Sequence, residues 1–119
     1  MNADEEKILS RIGEPVVYNY PGDEGQRRGV LADRYVISTS RNPTRVRYWH
    51  IVDLIKFSGY REPWIRIGYY RKTKDRLVFA GQTTSTYRVS EWRRLLAHAA
   101  QEKKWFRRLL NDVTNDLKK

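Results

Sequence analysis

Residues 90–117 read SEWRRLLAHAAQEKKWFRRLLNDVTNDL, and the fold turns on this segment. Trp92, Leu96, Ala99, Phe106, Leu110, Val113 and Leu117 recur at alternating steps of four and three, interrupted only at Lys103. Leu95, Ala100 and Leu109 widen the stripe. Ser90 suits an N-cap, and Glu91 lies where the helix dipole favours an anion. The expectation is one amphipathic helix over 90–117, covering strands formed by the chain before it. At 1.5 Å per residue such a helix runs roughly 40 Å, whereas a compact chain of this size has a radius of gyration of about 13 to 14 Å. Either the helix breaks near Gln101 to Lys103, or Trp105, Phe106, Leu109, Leu110 and Val113 bury their stripe elsewhere. The N-terminal helix and a second copy of the chain, giving a homodimer, are the two candidates.

With 119 residues the chain is long enough for one domain with its own core. It has no cysteine, so a disulfide framework and a thiolate metal site are excluded. The opening MNADEEKILSRIG is acidic and has no long apolar run, so neither a secretory signal nor a membrane span is expected and the location reads as cytoplasmic. Charge is uneven. Residues 1–26 carry six acids against two bases, a net of −4, which leaves +14 on the rest to reach the overall +10. The basic part is rich in arginine, whose planar fork suits phosphate and carboxylate, so a polyanionic partner is the natural expectation and a solvated basic surface the plain alternative.

Residues 4–12 read as a short helix with Ile8, Leu9 and Ile12 as apolar spots, ended by Gly13 and Pro15 and docked on a sheet edge. Pro15 to Tyr20 is a strand closed by the turn Pro21-Gly22-Asp23-Glu24-Gly25. Gly29 to Thr39 is long for one strand, and Asp33-Arg34 is read as a tight turn dividing it. Ser40 to Arg45 is a loop. In Val46 to Phe57 neither alternating set is cleanly apolar, so a bulge is expected near Val52-Asp53. Trp64 to Arg71 and Arg76 to Gly81 form a hairpin, with Ile65, Ile67, Tyr69, Leu77 and Phe79 expected on the core face and Trp64, Arg66, Gly68 and Tyr70 opposite. Thr83 to Val89 is a last strand after a turn at Gly81-Gln82.

About seven antiparallel strands over 15–89, a short helix before them and a long one after make an α+β, mainly β, single domain over 1–119. The strands GVLADRYVISTSR and RVRYWHIVDLIKF, the hairpin WIRIGYYRKTKDRLVFAG and the entry STYRVSEWRRLLAHAA resemble a pleckstrin-homology-like domain of the compact bacterial, GRAM-related type, over roughly Pro15 to Ala100. The resemblance implies a bent barrel with one corner plugged by the helix through Trp92, Leu95, Leu96 and Ala99. Lipid-binding members use basic residues on the first two strands and the loop between them. Here that loop carries Asp23-Glu24, and Arg27 and Arg28 are the only basic residues in place. The fold alone assigns no function.

No catalytic, cofactor or metal set is expected. His50 and Asp53 lie three apart and point to opposite faces of a regular strand, so only a bulge would join them. His98 is a boundary residue of the helix. Ser85, Thr83, Thr84 and Thr86 suit a strand and have no catalytic partner, and no glycine-rich phosphate loop precedes a helix. The expected role is a non-enzymatic binding module. One candidate surface is the hairpin, where Trp64, Arg66 and Tyr70 place aromatic planes beside Arg71, Lys72, Lys74 and Arg76. The other is the polar side of the helix, with Arg93, Arg94, Lys104, Arg107 and Arg108. The partner is then an acidic protein or nucleic acid, with an anionic membrane or simple dimerisation as alternatives.

Overall fold

A computed structural model describes residues 3–19, 26–38, 46–80 and 87–119. The expected turns at 21–25 and 81–82, the loop at 40–45 and most of the strand at 83–89 lie outside the described residues. The chain comprises two compact units, Met1–Thr84 and Ser85–Lys119.

The first unit is α1 (Ala3–Leu9) followed by β1 (Pro15–Asn19), β2 (Gln26–Ser38), β3 (Val46–Phe57), β4 (Trp64–Thr73) and β5 (Arg76–Phe79). The strands form one curled antiparallel sheet in sequence order. The described residues thus hold five strands, not seven. One reason is that β2 does not turn at Asp33-Arg34: it pairs with β3 from Gly29 to Ser38.

The irregularity sits in β2 instead of β3. Leu31 pairs with Ile55 and Asp33 with Leu54, so Ala32 is the extra residue of a β-bulge. Strand alternation would put Leu31 and Arg34 on opposite faces; the bulge puts both on the same one. The Asp33 carboxylate accepts a 2.8 Å hydrogen bond from the Arg34 backbone N–H and so steadies the kink. β3 itself keeps a regular register against β4 from Val46 to Ile55. His50 and Asp53 therefore do point to opposite faces.

One face of the sheet carries Trp49, Ile51, Asp53, Ile55 and Phe57 of β3, opposite Tyr70, Gly68, Arg66 and Trp64 of β4. It holds two apolar clusters. In one, Ile8 of α1 packs with Trp49, Ile51 and Tyr70, flanked by Val36 and Leu77. In the other, Leu31, Ile55 and Phe57 pack with Val16 and Trp64. α1 thus docks on the face of the central strands, not on an edge, and it ends at Leu9, short of Ile12, which is exposed. The expected faces of β4 are also exchanged: Gly68 and Tyr70 are buried whereas Ile65 is 37% exposed. On the other side of the sheet Tyr35, His50 and Val52 are buried as well.

The second unit is α2 (Val89–Glu102) and α3 (Lys104–Leu117), with Lys103 between them in an extended conformation at φ −121°, ψ 116°. The single helix expected over 90–117 is therefore two, broken at Lys103, where the apolar repeat fails and a charged residue takes the place of the next apolar one. The Arg107 side chain spans it, donating to the Ala100 and Gln101 carbonyls at 3.0 and 2.9 Å. Ser90 lies inside α2; the cap is Arg88, whose backbone N–H donates to the Glu91 carboxylate at 3.4 Å.

Gly29 faces Phe57 so closely that a Cβ there would lie 2.9 Å from both Phe57 Cα and its ring. Gly29→Ala is therefore expected to lower stability by more than about 1 to 3 kcal/mol, the usual cost of overpacking, because backbone and not a flexible side chain must move. Urea unfolding checks this, with an unchanged midpoint as the contrary result.

Candidate functional site

Between the two apolar clusters lies a carboxylate with two arginines. Asp53 is fully buried and Arg34 is 2% exposed. Arg34 donates to Asp53 from Nε at 2.7 Å and from Nη2 at 3.1 Å, a bidentate fork. Arg66 adds Nε and Nη2 at 3.1 and 2.9 Å, both to Oδ2. One carboxylate thus accepts four N–H bonds from two strands. The remaining Arg34 donor, Nη1, reaches the Ile8 carbonyl at 2.8 Å and the Tyr70 hydroxyl at 3.1 Å. Burial alone would lower the pKa of Arg34, but the hydrogen bonds and charge of Asp53, helped by Tyr70, raise it above its ordinary value. Its stabilising contribution is present throughout neutral and mildly alkaline solution and is lost only as the pH rises through that folded-state value. Asp53 and Arg34 are closed to solvent and the Arg66 side chain is only 17% exposed, so the cluster reads as architecture.

The expected site residues divide accordingly. Arg66 is committed to Asp53 and stacks on Phe79, its guanidinium 4.8 Å from the ring centroid. Tyr70 is buried and stacked on Phe79. Both belong to the interior and are no part of an exposed stacking face, because alternation in β4 turns them toward α1. Lys72 points the same way and pairs with Asp4 of α1 at 3.1 Å. Arg71 pairs in register with Tyr48 and Val78, and Arg76 with Thr73, which sets Arg71 and Arg76 on the opposite face, one diagonal step apart. Lys74 occupies the two-residue turn between them with φ 57°. Arg93, Arg94, Arg107 and Arg108 are exposed on the helical unit, Arg107 being tied to α2 carbonyls.

Two features are not evident from the sequence. Tyr48 is 40% exposed beside Arg71 and edge-on to Tyr69, at 5.9 Å between centroids. It supplies the aromatic plane expected of Tyr70. At the other end of the sheet the Arg27 guanidinium lies over Tyr60 and Trp64, at 4.8 and 5.2 Å from their centroids. The first is legible only through the β3–β4 register, the second only through the turn at 58–63.

No protein-family model matches the sequence, and no curated protein or solved structure matches it. Among the described residues no helix is long and apolar enough to cross a membrane, and no three His, Asp or Glu side chains gather where they would hold a metal.

Asp53→Asn keeps the shape but removes the charge that both arginines need. It is expected to cost about 3 to 5 kcal/mol, the range for breaking a buried ion pair. Tyr70→Phe removes one acceptor of Arg34 and is expected to cost only about 1 to 3 kcal/mol. Denaturant melts rank the two; a milder effect for the aspartate substitution contradicts the assignment.

Proposed function

We propose that the chain is a non-enzymatic binding module for an acidic macromolecule, single-stranded nucleic acid before others, acting through Tyr48, Arg71, Lys74 and Arg76. The observation that carries this reading is the pairing of an exposed aromatic ring with two arginines on one face of the β4–β5 ribbon. Among the described residues no acid forms an ion pair with Arg71, Lys74 or Arg76, although Asp75 sits in the same turn. Arginine forks seek phosphate oxygens, and a tyrosine face accepts any base by stacking, so binding here is electrostatic and sequence-tolerant. Arg93, Arg94 and Arg108 add positive potential on the helical unit. The curled antiparallel sheet followed by helices is compatible with a pleckstrin-homology-like module, a fold that carries many kinds of ligand. The inner arginines Arg34 and Arg66 serve the fold and take no part in binding.

The test is fluorescence anisotropy of a labelled single-stranded oligonucleotide against the wild type and the Arg71→Glu/Arg76→Glu variant. The expected result is weaker binding and a salt slope reduced by roughly 0.7 for each cation that no longer meets a phosphate of the single strand, with unfolding unchanged because both side chains are exposed. Equal affinity for the two proteins overturns the assignment of these residues. Binding confined to vesicles containing acidic lipid moves the reading to membranes, and binding confined to an acidic polypeptide moves it to proteins.

A further inference from the structure

The second half of α3 leaves a line of apolar side chains uncovered. Leu109, Val113 and Leu117 follow at steps of four, one above another on a helix, and are 40%, 46% and 81% exposed. Upstream, Phe106 of the same helix is buried and Leu110 is half-buried, so the stripe begins covered and runs out into exposure toward the end of α3. A helix end of two turns with one apolar side is stable mainly when that side is packed.

Charge says what would pack there. The first half of α3 carries Lys104, Arg107 and Arg108, and the second half carries Asp112 and Asp116. Arg107 is already bound to the Ala100 and Gln101 carbonyls, which leaves Lys104 and Arg108 as its available cations. A copy of the same helix laid antiparallel sets Arg108 against Asp112 of the partner on both sides of a two-fold axis, with Lys104 level with Asp116, which also meets the exposed Lys119 of its own chain at 3.6 Å. A parallel copy sets cation on cation and acid on acid. The helix dipoles also oppose one another only in the antiparallel arrangement.

We propose that the chain self-associates as an isologous dimer in which α3 packs antiparallel on α3 of a second copy, with Leu109 and Val113 as its apolar seam near the two-fold axis and Arg108 and Asp112 as its cross-pair. The contact spans one helix of 14 residues, about 21 Å long, so the dimer is a weak one. It uses residues apart from Tyr48, Arg71 and Arg76, and its test is independent of any ligand.

The experiment is sedimentation equilibrium of the full chain at low salt, up to a concentration on the order of 100 μM, suited to an interface this small. Wild type is expected to approach the dimer mass, and Leu109→Asp/Val113→Asp to sediment as a monomer with unchanged circular dichroism. Arg108→Asp and Asp112→Arg are each expected to be monomeric alone and to form a mixed dimer when combined. A wild type that stays monomeric overturns the proposal and leaves the stripe to a different partner. A dimer indifferent to all these substitutions overturns it too, since association then lies elsewhere.

Discussion

The first unit depends on one carboxylate. Asp53 sits fully buried at the middle of the central strand and accepts hydrogen bonds from Arg34 of β2 and Arg66 of β4. An isolated buried carboxylate is prohibitively costly, and an isolated buried guanidinium is equally so. Each therefore fixes the register of its strand against the others: a slip of one residue would turn Arg34 or Arg66 away and leave Asp53 bare. The same network fastens α1, because Arg34 also donates to the Ile8 carbonyl while the Ile8 side chain fills the cluster around Trp49. Lys72 and Asp4 make a second, more exposed tie between the helix and β4.

This arrangement sorts the arginines into two kinds. Three on the α1 face of the sheet are neutralised or stacked: Arg34 and Arg66 on Asp53, with Tyr70 and Phe79 beneath their guanidinium groups, and Arg27 on Tyr60 and Trp64; Arg47, at the end of β3, is exposed on that face. Those on the opposite face of the hairpin are exposed beside an exposed tyrosine. Net charge alone cannot make this distinction, since a cation counts the same in either place. Cations of the second kind are open to a polyanion, whereas the interior ones explain why a strongly basic chain still builds a compact sheet.

Much of the order of elements is legible in the sequence. Valine-rich and tyrosine-rich runs mark the strands, and the polar run Lys72 to Asp75 marks the clearest hairpin, although β4 continues through Thr73 and only Lys74-Asp75 turn; the apolar repeat fails at Lys103, but its continuation on either side reads as one helix where there are two. The faces are harder. In β4 a reader following isoleucine puts Ile65, Ile67 and Tyr69 inside, yet the buried set includes Gly68 and Tyr70, because the interior here is partly polar and selects the strand face that carries Arg66. The bulge at Ala32 is invisible for a related reason: alanine carries no local signal, and its position follows from the need to bring Leu31 and Arg34 to the same side. An aspartate inside the apolar run Ile51-Val52-Asp53-Leu54-Ile55 does announce a buried charge that needs a partner. Tyr48 becomes a candidate only once its neighbour across the strands is known to be Arg71.

The most direct test of the division between interior and exterior cations is the salt dependence of oligonucleotide binding. If Arg71, Lys74 and Arg76 are the cations that meet phosphate, a single strand bound at low salt should lose affinity linearly in log salt with a slope of about −2, from roughly 0.7 per phosphate contact. Binding that is absent at low salt, or that is indifferent to salt, would contradict the account.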